Sequence, residues 1–251
     1  MSTLDGVDVE VVGWQVSSVE STGSTNADLA VRARAGASSW SALIAGEQTA
    51  GRGRLTRTWS SPPGTSVSLS VLIRPQRPVG EWGLLPLLSG LGVARALASL
   101  GAEAVLKWPN DVLLPADGER KVCGILAELV ASPSPAVVVG MGVNVSQGRG
   151  DFPVETATSL ALVGVDVTRA EVVRGVLEQL AYVYSEWDAK GWSAVRAEYE
   201  SLCVTLGRHV RVELPDGSTV TGVATAVLDD GRIVVGAQTF AAGDVHHLRP
   251  L

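Results

Sequence analysis

Cysteine is scarce in this chain, and what there is does not cluster. The 251 residues hold two cysteines, Cys123 and Cys203. They form no CxxC pair and no His or Cys cluster accompanies them, which removes the usual zinc and dithiol motifs. Reduced, structural thiols in a cytoplasmic protein are the expectation. Histidine is nearly as rare. The three, His209, His246 and His247, all fall near the C-terminus, and no carboxylate spacing around them supports a metal, so they are expected at the surface.

Positive charge is also lacking. Lys and Arg number 20 against 26 Asp and Glu, a net charge of −6. Broad nucleic-acid binding normally leaves a basic footprint, so no nucleic-acid partner is expected. That charge also disfavours reading Arg52-Gly53-Arg54 as a minor-groove hook. Long apolar runs are missing as well. The best membrane candidate, residues 84–100, is broken by Pro86, by glycines and serines, and by Arg95, so no membrane association is expected. The N-terminus, MSTLDGVDVEVVGW, has neither a basic start nor an apolar centre and does not read as a signal peptide. No GxxxxGK[ST] occurs, which excludes a P-loop. Gly140-Met141-Gly142 is followed by Val145 where a dinucleotide fingerprint needs glycine or alanine, so that motif fails too. There is no internal repeat.

What remains is ample for folding. Hydrophobic residues make up 46% and charged residues 18%, and mean hydropathy is +0.24. This length allows one large domain, or one large and one small. Residues 9–16 read as a strand. Ser24-Thr25-Asn26 caps a helix over 27–35. Residues 41–45 form a short buried strand, and 66–73 alternate Ser66, Ser68, Ser70 against Val67, Leu69, Val71. A helix spans 84–100. Strands follow over 105–114, 121–130 and 136–145, the second apolar on both faces and therefore central. Thr168-Arg169-Ala170-Glu171 is a capping box. Behind it Val172, Val173, Val176, Leu177, Leu180, Val183, Tyr184 and Trp187 recur at helical spacing. From residue 206 the pattern changes to short strands, 209–214, 219–228, 232–235, 238–240 and 245–248, around Pro215-Asp216-Gly217 and Asp229-Asp230-Gly231. The fold class is α+β: a mixed-sheet domain over 1–205, with a small β-barrel appended over 206–251.

The densest chemistry lies in residues 47–59, EQTAGRGRLTRTW. Gly51 and Gly53 alternate with Arg52 and Arg54, and Arg57 and Trp59 follow. Glycine frees the backbone, arginine offers a planar fork for carboxylate or phosphate, and tryptophan offers a face for a ring. The stretch reads as a mobile loop that closes over a nucleotide-like anion. The alternative is an ordinary solvated loop. Lys107-Trp108-Pro109-Asn110-Asp111 reads either as turn chemistry or as a phosphate cation beside nucleotide or magnesium ligands. Lys121 heads an apolar strand, either as its exposed first residue or as a charge projecting into a site. Asn144 ends its strand as a cap or as a ligand contact.

Together these motifs resemble the biotin–protein ligase family. They stand in the family's order: Ser24-Thr25-Asn26; Gln48 with Gly51-Arg52-Gly53-Arg54; Lys107-Trp108-Pro109-Asn110-Asp111; Lys121 with Gly124-Ile125; and Gly142-Val143-Asn144. The resemblance covers essentially the whole chain. It implies a catalytic domain like that of class II aminoacyl-tRNA synthetases and an SH3-like C-terminal barrel. It implies a reaction in which biotin and ATP, with Mg²⁺, give biotinyl-5′-AMP, whose biotinyl group passes to a lysine of a biotin carboxyl carrier protein domain of acyl-CoA carboxylases. The residue roles it implies are biotin binding by Ser24, Thr25, Asn26, Gln48, Gly51, Arg52, Gly53, Arg54, Lys121 and Gly124. Nucleotide binding falls to Arg54, Arg57, Trp59, Lys107, Asn110, Asp111 and Asn144. Lys121 and Arg52 are the catalytic pair, and any metal sits near Asp111. A lipoate–protein ligase of the same fold is the alternative. Two departures stand out. Thr56 replaces a glycine of the family's loop and stiffens it. Only 23 residues precede Ser24, too few for the winged-helix domain some members use as repressors, so no DNA binding is expected. The expected assembly is a monomer or weak homodimer.

Overall fold

The computed structural model describes residues 3–4, 7–54, 57–60, 62–214, 216–241 and 243–248. Thr56, and Pro215 of the first C-terminal turn, lie outside the described residues. A two-stranded ribbon, β1 (Thr3–Leu4) and β2 (Val7–Asp8), opens the chain. The main sheet then builds from β3 (Gln15–Thr22), β4 (Ser41–Gln48), β5 (Ser66–Ile73), β6 (Val105–Lys107), β7 (Asp111–Leu114), β8 (Arg120–Val130) and β9 (Ala136–Asn144). Its order is β3-β4-β5-β9-β8-β7-β6. Strands β3 and β4 are parallel because helix α1 (Thr25–Arg34) crosses between them; the other pairs are antiparallel.

Helix α1 packs on one face of this sheet, where Leu29 and Ala33 meet Leu43, Leu72 and Val138. Helices α2 (Leu85–Ser99) and α3 (Arg169–Lys190) pack together and cover the other face. All eight apolar positions expected on α3 are buried, and Thr168 caps it through a reciprocal bond with Glu171. A short helix, α4 (Arg196–Leu202), leads out of the domain. With the turn before α2 included, Val79–Ser99 is long and apolar enough by composition to cross a membrane, which a reading from residue 84 alone did not register. Here it is a core helix: Leu85, Leu88, Leu91, Val93, Ala96 and Leu97 are completely buried in the protein.

Two expectations need correcting. The first strand of the main sheet runs over Gln15–Thr22, overlapping the expected residues 9–16 only at Gln15 and Val16. The apolar residues before it serve another purpose. Val9, Val11 and Trp14 plug the core from an irregular segment, and the Trp14 indole N–H donates to the Leu177 carbonyl at 2.9 Å. The real strand is polar because it lies at the sheet edge. Second, β5 alternates in composition but not in exposure, since every one of its residues is buried. Its serine face lies under α1 rather than in water.

The C-terminal region forms a five-stranded antiparallel sheet in the order β13-β12-β11-β10-β14. These are β10 (His209–Glu213), β11 (Thr219–Val227), β12 (Ile233–Val235), β13 (Gln238–Phe240) and β14 (Asp244–His247). Trp108 ties this sheet to the main one. Its indole N–H donates to the Gly231 carbonyl and its backbone N–H to Thr205 Oγ1, both at 3.0 Å. Beside it, Arg208 makes a two-armed bond to Glu119. Both cysteines are free and buried, as expected. Burial pushes the Cys123 thiol up to about 12 and raises Cys203 as well, so neither is a nucleophile.

Candidate active site

The segment from β3 into α1 builds the floor of a cavity. Ser24 Oγ accepts from the Ala27 N–H at 3.4 Å, which starts the helix and holds Thr25 and Asn26 inward. Gln48, the last residue of β4, takes the Thr25 N–H on Oε1 at 2.8 Å, with Thr25 Oγ1 at 3.0 Å. Below them Ser70 is fully buried, its Oγ 2.7 Å from Thr25 Oγ1 and 2.6 Å from Asn26 Oδ1. The Asn26 oxygen only accepts, so Ser70 gives it its single proton; if Ser70 in turn takes the one hydroxyl proton of Thr25, the bond from Thr25 to Gln48 is the backbone N–H. Asn26 Nδ2 donates to the Leu126 carbonyl at 3.1 Å and to Glu128 at 2.7 Å. Every polar atom of that amide is therefore committed.

The second wall comes from the β6–β7 turn and β8. Lys107 ends β6 and Asp111 opens β7, with a cis peptide at Trp108–Pro109 between them. Asn110 Nδ2 donates to the Ile125 carbonyl at 2.8 Å. A register shift between β7 and β8 leaves Val122 without a partner. An extra residue of this kind turns neighbouring side chains. Here it brings Lys121 to the same side as Gly124 and Leu126, where all three line the cavity. Lys121 Nζ reaches Asp111 Oδ1 at 2.6 Å.

The glycine–arginine stretch closes the cavity as a narrow hairpin. The Trp59 N–H bonds the Gly51 carbonyl and the Gly53 N–H bonds the Arg57 carbonyl, with Arg52 paired to Thr58. A side chain at Gly51 would overlap the Trp59 carbonyl, so this glycine shapes the hairpin rather than lining the cavity. The Trp59 ring turns inward. It lies so close over Gly142 that a methyl group there would overlap the indole, and it sits 5.8 Å from Lys121 Nζ. The third wall is β14. Asp244 pairs with Arg57, the Gly243 carbonyl accepts from Arg54 at 3.3 Å, and Val245 and His246 complete the lining.

The cavity measures about 170 Å³ with Trp59 in place, comparable to engineered cavities that take up benzene. Five cations line it, Arg52, Arg54, Arg57, Lys107 and Lys121, against two carboxylates, Asp111 and Asp244. The chain as a whole carries −6, so positive charge is concentrated here. Burial lowers the pKa of Lys107, with Lys121 and Arg57 pushing the same way and Asp111 opposing. Burial likewise lowers Arg54, and Arg57 adds to it. Such partly desolvated cations attract an anion more strongly than solvated ones do.

Residues 19–144 match the sequence model of the biotin/lipoate A/B protein ligase family, and residues 205–248 that of the biotin protein ligase C-terminal domain. The chain is 42% identical over 249 residues to a biotin–[acetyl-CoA-carboxylase] ligase of Mycobacterium tuberculosis, covering 94% of this chain and 91% of that protein. It belongs to the biotin/lipoate protein ligase family. The bifunctional ligase/repressor BirA of Bacillus subtilis is 31% identical over 92% of this chain and 72% of its own length. Among solved structures, the Aquifex aeolicus biotin protein ligase in complex with biotin and ATP superposes with a TM-score of 0.77. That pair is 29% identical and covers 94% of this chain and 99% of the other. The expected fold class holds: a mixed α+β domain carrying a C-terminal sheet of SH3-like type.

Within this ligase-family cavity, most residues singled out from the sequence meet. Ser24, Thr25, Asn26, Gln48, Arg52, Gly53, Arg54, Arg57, Trp59, Lys107, Asn110, Asp111, Lys121 and Gly124 all line it. Gly51 and Asn144 do not. Asn144 is buried behind the wall, where Nδ2 donates to the Thr158 carbonyl at 2.9 Å and Oδ1 accepts from Gln147 at 3.0 Å. Its amide holds the segment after β9, the cap reading of that residue. The surface expectation holds for His209 and in part for His246, whose side chain is 43% exposed, but not for His247. His246 lines the cavity, and His247 is wedged between Thr205 and Arg208. Asp244, Ser70 and Glu128 were not visible as site residues either. None lies in a local motif, and only the tertiary fold brings them in.

Proposed function

We propose that this chain is a biotin–protein ligase. Biotin's carboxylate attacks the α-phosphorus of ATP; the bond to pyrophosphate breaks, giving biotinyl-5′-AMP. A neutral lysine amine of a biotin carboxyl carrier protein domain then attacks the acyl carbon, and AMP leaves. One observation carries this reading. A single cavity joins a rigid, uncharged hydrogen-bonding floor, suited to a ureido ring, to a wall of five cations suited to a carboxylate and phosphates.

Thr25 and Gln48, set by Ser24 and Asn26, read the ring. Lys121 stands where carboxylate and phosphate meet. Two anions must come within bonding distance there, and a preorganised cation lowers that barrier directly. Arg52 takes the acid end, with Gly53 and Gly124 giving room. Arg54, Arg57 and Lys107 serve the phosphates, Asn110 orients Arg54 at 3.2 Å, and the Trp59 face takes the adenine. The hairpin then shields the reactive anhydride from water. Mg²⁺ accompanies the nucleotide. Among the described residues no group of three His, Cys, Asp or Glu side chains forms a metal cage. The phosphates and Asp111 would hold it, the usual arrangement for this ion. Residues 1–205 are the catalytic unit and 206–251 the SH3-like one, in a cytoplasmic monomer or weak homodimer with no nucleic-acid role.

The test is direct. Labelled biotin, Mg·ATP and a carrier domain are incubated with the protein, and label is followed onto the carrier lysine. Transfer that needs both biotin and ATP supports the reading. Adenylate formation with lipoate but not biotin, by pyrophosphate exchange, would assign the lipoate activity instead.

A further inference from the structure

A continuous polar chain runs from the ring-reading floor to the loop. It passes from Gln48 through the Thr25 backbone N–H and hydroxyl, Ser70 and Asn26 to Glu128, and ends on Arg52. The last two links share one atom. Glu128 Oε2 accepts from Asn26 Nδ2 at 2.7 Å and from Arg52 at 3.2 Å. Glu128 lies on the part of β8 that pairs only with β9, so its side chain is free to lean over the floor. Asn26 is fixed from the other side by Gly140, where any side chain would overlap the Asn26 amide. Glu128 makes a single contact with the Arg52 guanidinium, which has five N–H donors. The rest of the fork stays available to a ligand.

We propose that Glu128 is a positioning residue of the ligand loop. It anchors Arg52, and with it the paired segments 51–54 and 57–59, to the amide that orders the ring-reading floor. Occupation of the ring end and closure of the loop are thereby coupled through one carboxylate. Glu128 touches neither reacting atom in this scheme; it acts through Arg52 and Asn26. The inference rests on the ligase reading for its kinetic consequence but not for its structural one.

The experiment therefore has two arms, on the full chain, with Glu128→Ala and Glu128→Gln. In ligand-free protein, limited trypsin digestion reads cleavage after the half-exposed Arg52 and Arg57. Glu128→Ala should be cut in the loop several times faster, with Glu128→Gln between it and wild type because it keeps the bond to Asn26. In pyrophosphate exchange, Glu128→Ala should raise the biotin KM about fivefold, the effect of losing a partly exposed ion pair, with kcat within about twofold. Higher ionic strength should bring the wild-type KM toward that of the variant, because salt screens the pair. Unchanged loop cleavage and unchanged KM in Glu128→Ala, with a native far-UV circular dichroism spectrum, would overturn the proposal. So would a fall in kcat equal to the fall in kcat/KM, which would make Glu128 part of the chemistry. A wild-type protein without biotin-dependent exchange would sink the ligase reading alone, and the trypsin arm would still decide on Glu128.

Discussion

The floor and the loop of the cavity hold their ligand-facing groups in opposite ways. On the floor, Thr25, Gln48, Ser70 and Asn26 are bonded to one another and to the backbone, on a helix start and two strands of the buried sheet. In the loop and the wall it touches, the cations are held by carboxylates: Arg52 by Glu128, Arg57 by Asp244, and Lys121 by Asp111. A neutral ring gains little from field strength and much from fixed geometry, so its site can be rigid. An anion brings its own charge, so three of the five cations can be held in its absence by carboxylates that it competes with. The half that selects is preorganised, and the half that performs the chemistry is exchangeable.

The sharpest test of that contrast is Lys121→Ala. Loss of the positive charge at the reacting centre is expected to lower adenylate formation on the order of 10²–10³-fold. Far-UV circular dichroism should stay native, since the Lys121 side chain contributes a partly exposed pair with Asp111 and a 5.8 Å approach to the Trp59 ring. Pyrophosphate exchange reads the rate. Exchange at the wild-type rate would remove Lys121 from the chemistry and leave the loop half without its centre.

Gly140→Ala attacks the floor. The added methyl group overlaps Asn26 Oδ1, so Asn26 must give up its bonds to Ser70, Leu126 or Glu128. The biotin KM should rise about tenfold, the value of one charge-assisted hydrogen bond, and overpacking should cost about 1–3 kcal/mol of stability. Isothermal titration with biotin alone separates the two effects. If this variant lost more rate than Lys121→Ala, the division into a selecting floor and a reacting wall would fail. Trp59→Ala should do less, raising the ATP KM roughly fivefold at the lower end of base–aromatic stacking, with the biotin KM within about twofold. An equal rise in both would mean that the ring over Gly142 guards the whole cavity rather than the nucleotide.

Legibility followed the same division. The loop half could be read almost residue by residue. Arg52, Arg54, Arg57, Lys107 and Lys121 sit in compact local motifs, and each lines the cavity. Helix α3 and the five short C-terminal strands were legible because period and turn residues agree along the chain. What stayed hidden depends on distant packing. The serines of β5 look like a solvent face until α1 is known to cover them, and the polar edge strand β3 carries too few apolar residues to announce itself. Glu128 reads as one charge on an apolar strand. His246 reads as a surface residue until β14 is placed against the hairpin, and Asp244 lies in no motif at all.

The smallest effect concerns the anchor of the third wall. His247 Nδ1 faces the Arg208 guanidinium at 3.3 Å, and Nε2 lies 3.1 Å from Thr205 Oγ1. Arginine only donates, so Nδ1 must carry the lone pair and Nε2 the proton. A second proton would set donor against donor. Burial, helped by Lys107 and Arg208 and opposed by Glu119, pushes the His247 pKa down from 6.5 to about 4. Above pH 6.5 both folded and unfolded chains hold this ring neutral, and it gives no slope. As pH falls below 6.5, the unfolded chain takes up a proton that the folded one refuses, so stability declines until about pH 4 and then levels. His246, lowered by burial and by Lys107 and Arg211, adds to the same window. Glu119 is held low by Arg208, so its contribution fades only below its ordinary value of 4.5. His247→Gln keeps a neutral polar side chain and removes the group that titrates. Its unfolding midpoint should therefore fall less than that of wild type between pH 7 and 5, by a few degrees at most, while His246 keeps part of the slope in both proteins. Identical slopes would mean that β14 is not held at this junction, and that the carboxylate it offers to Arg57 has no fixed base.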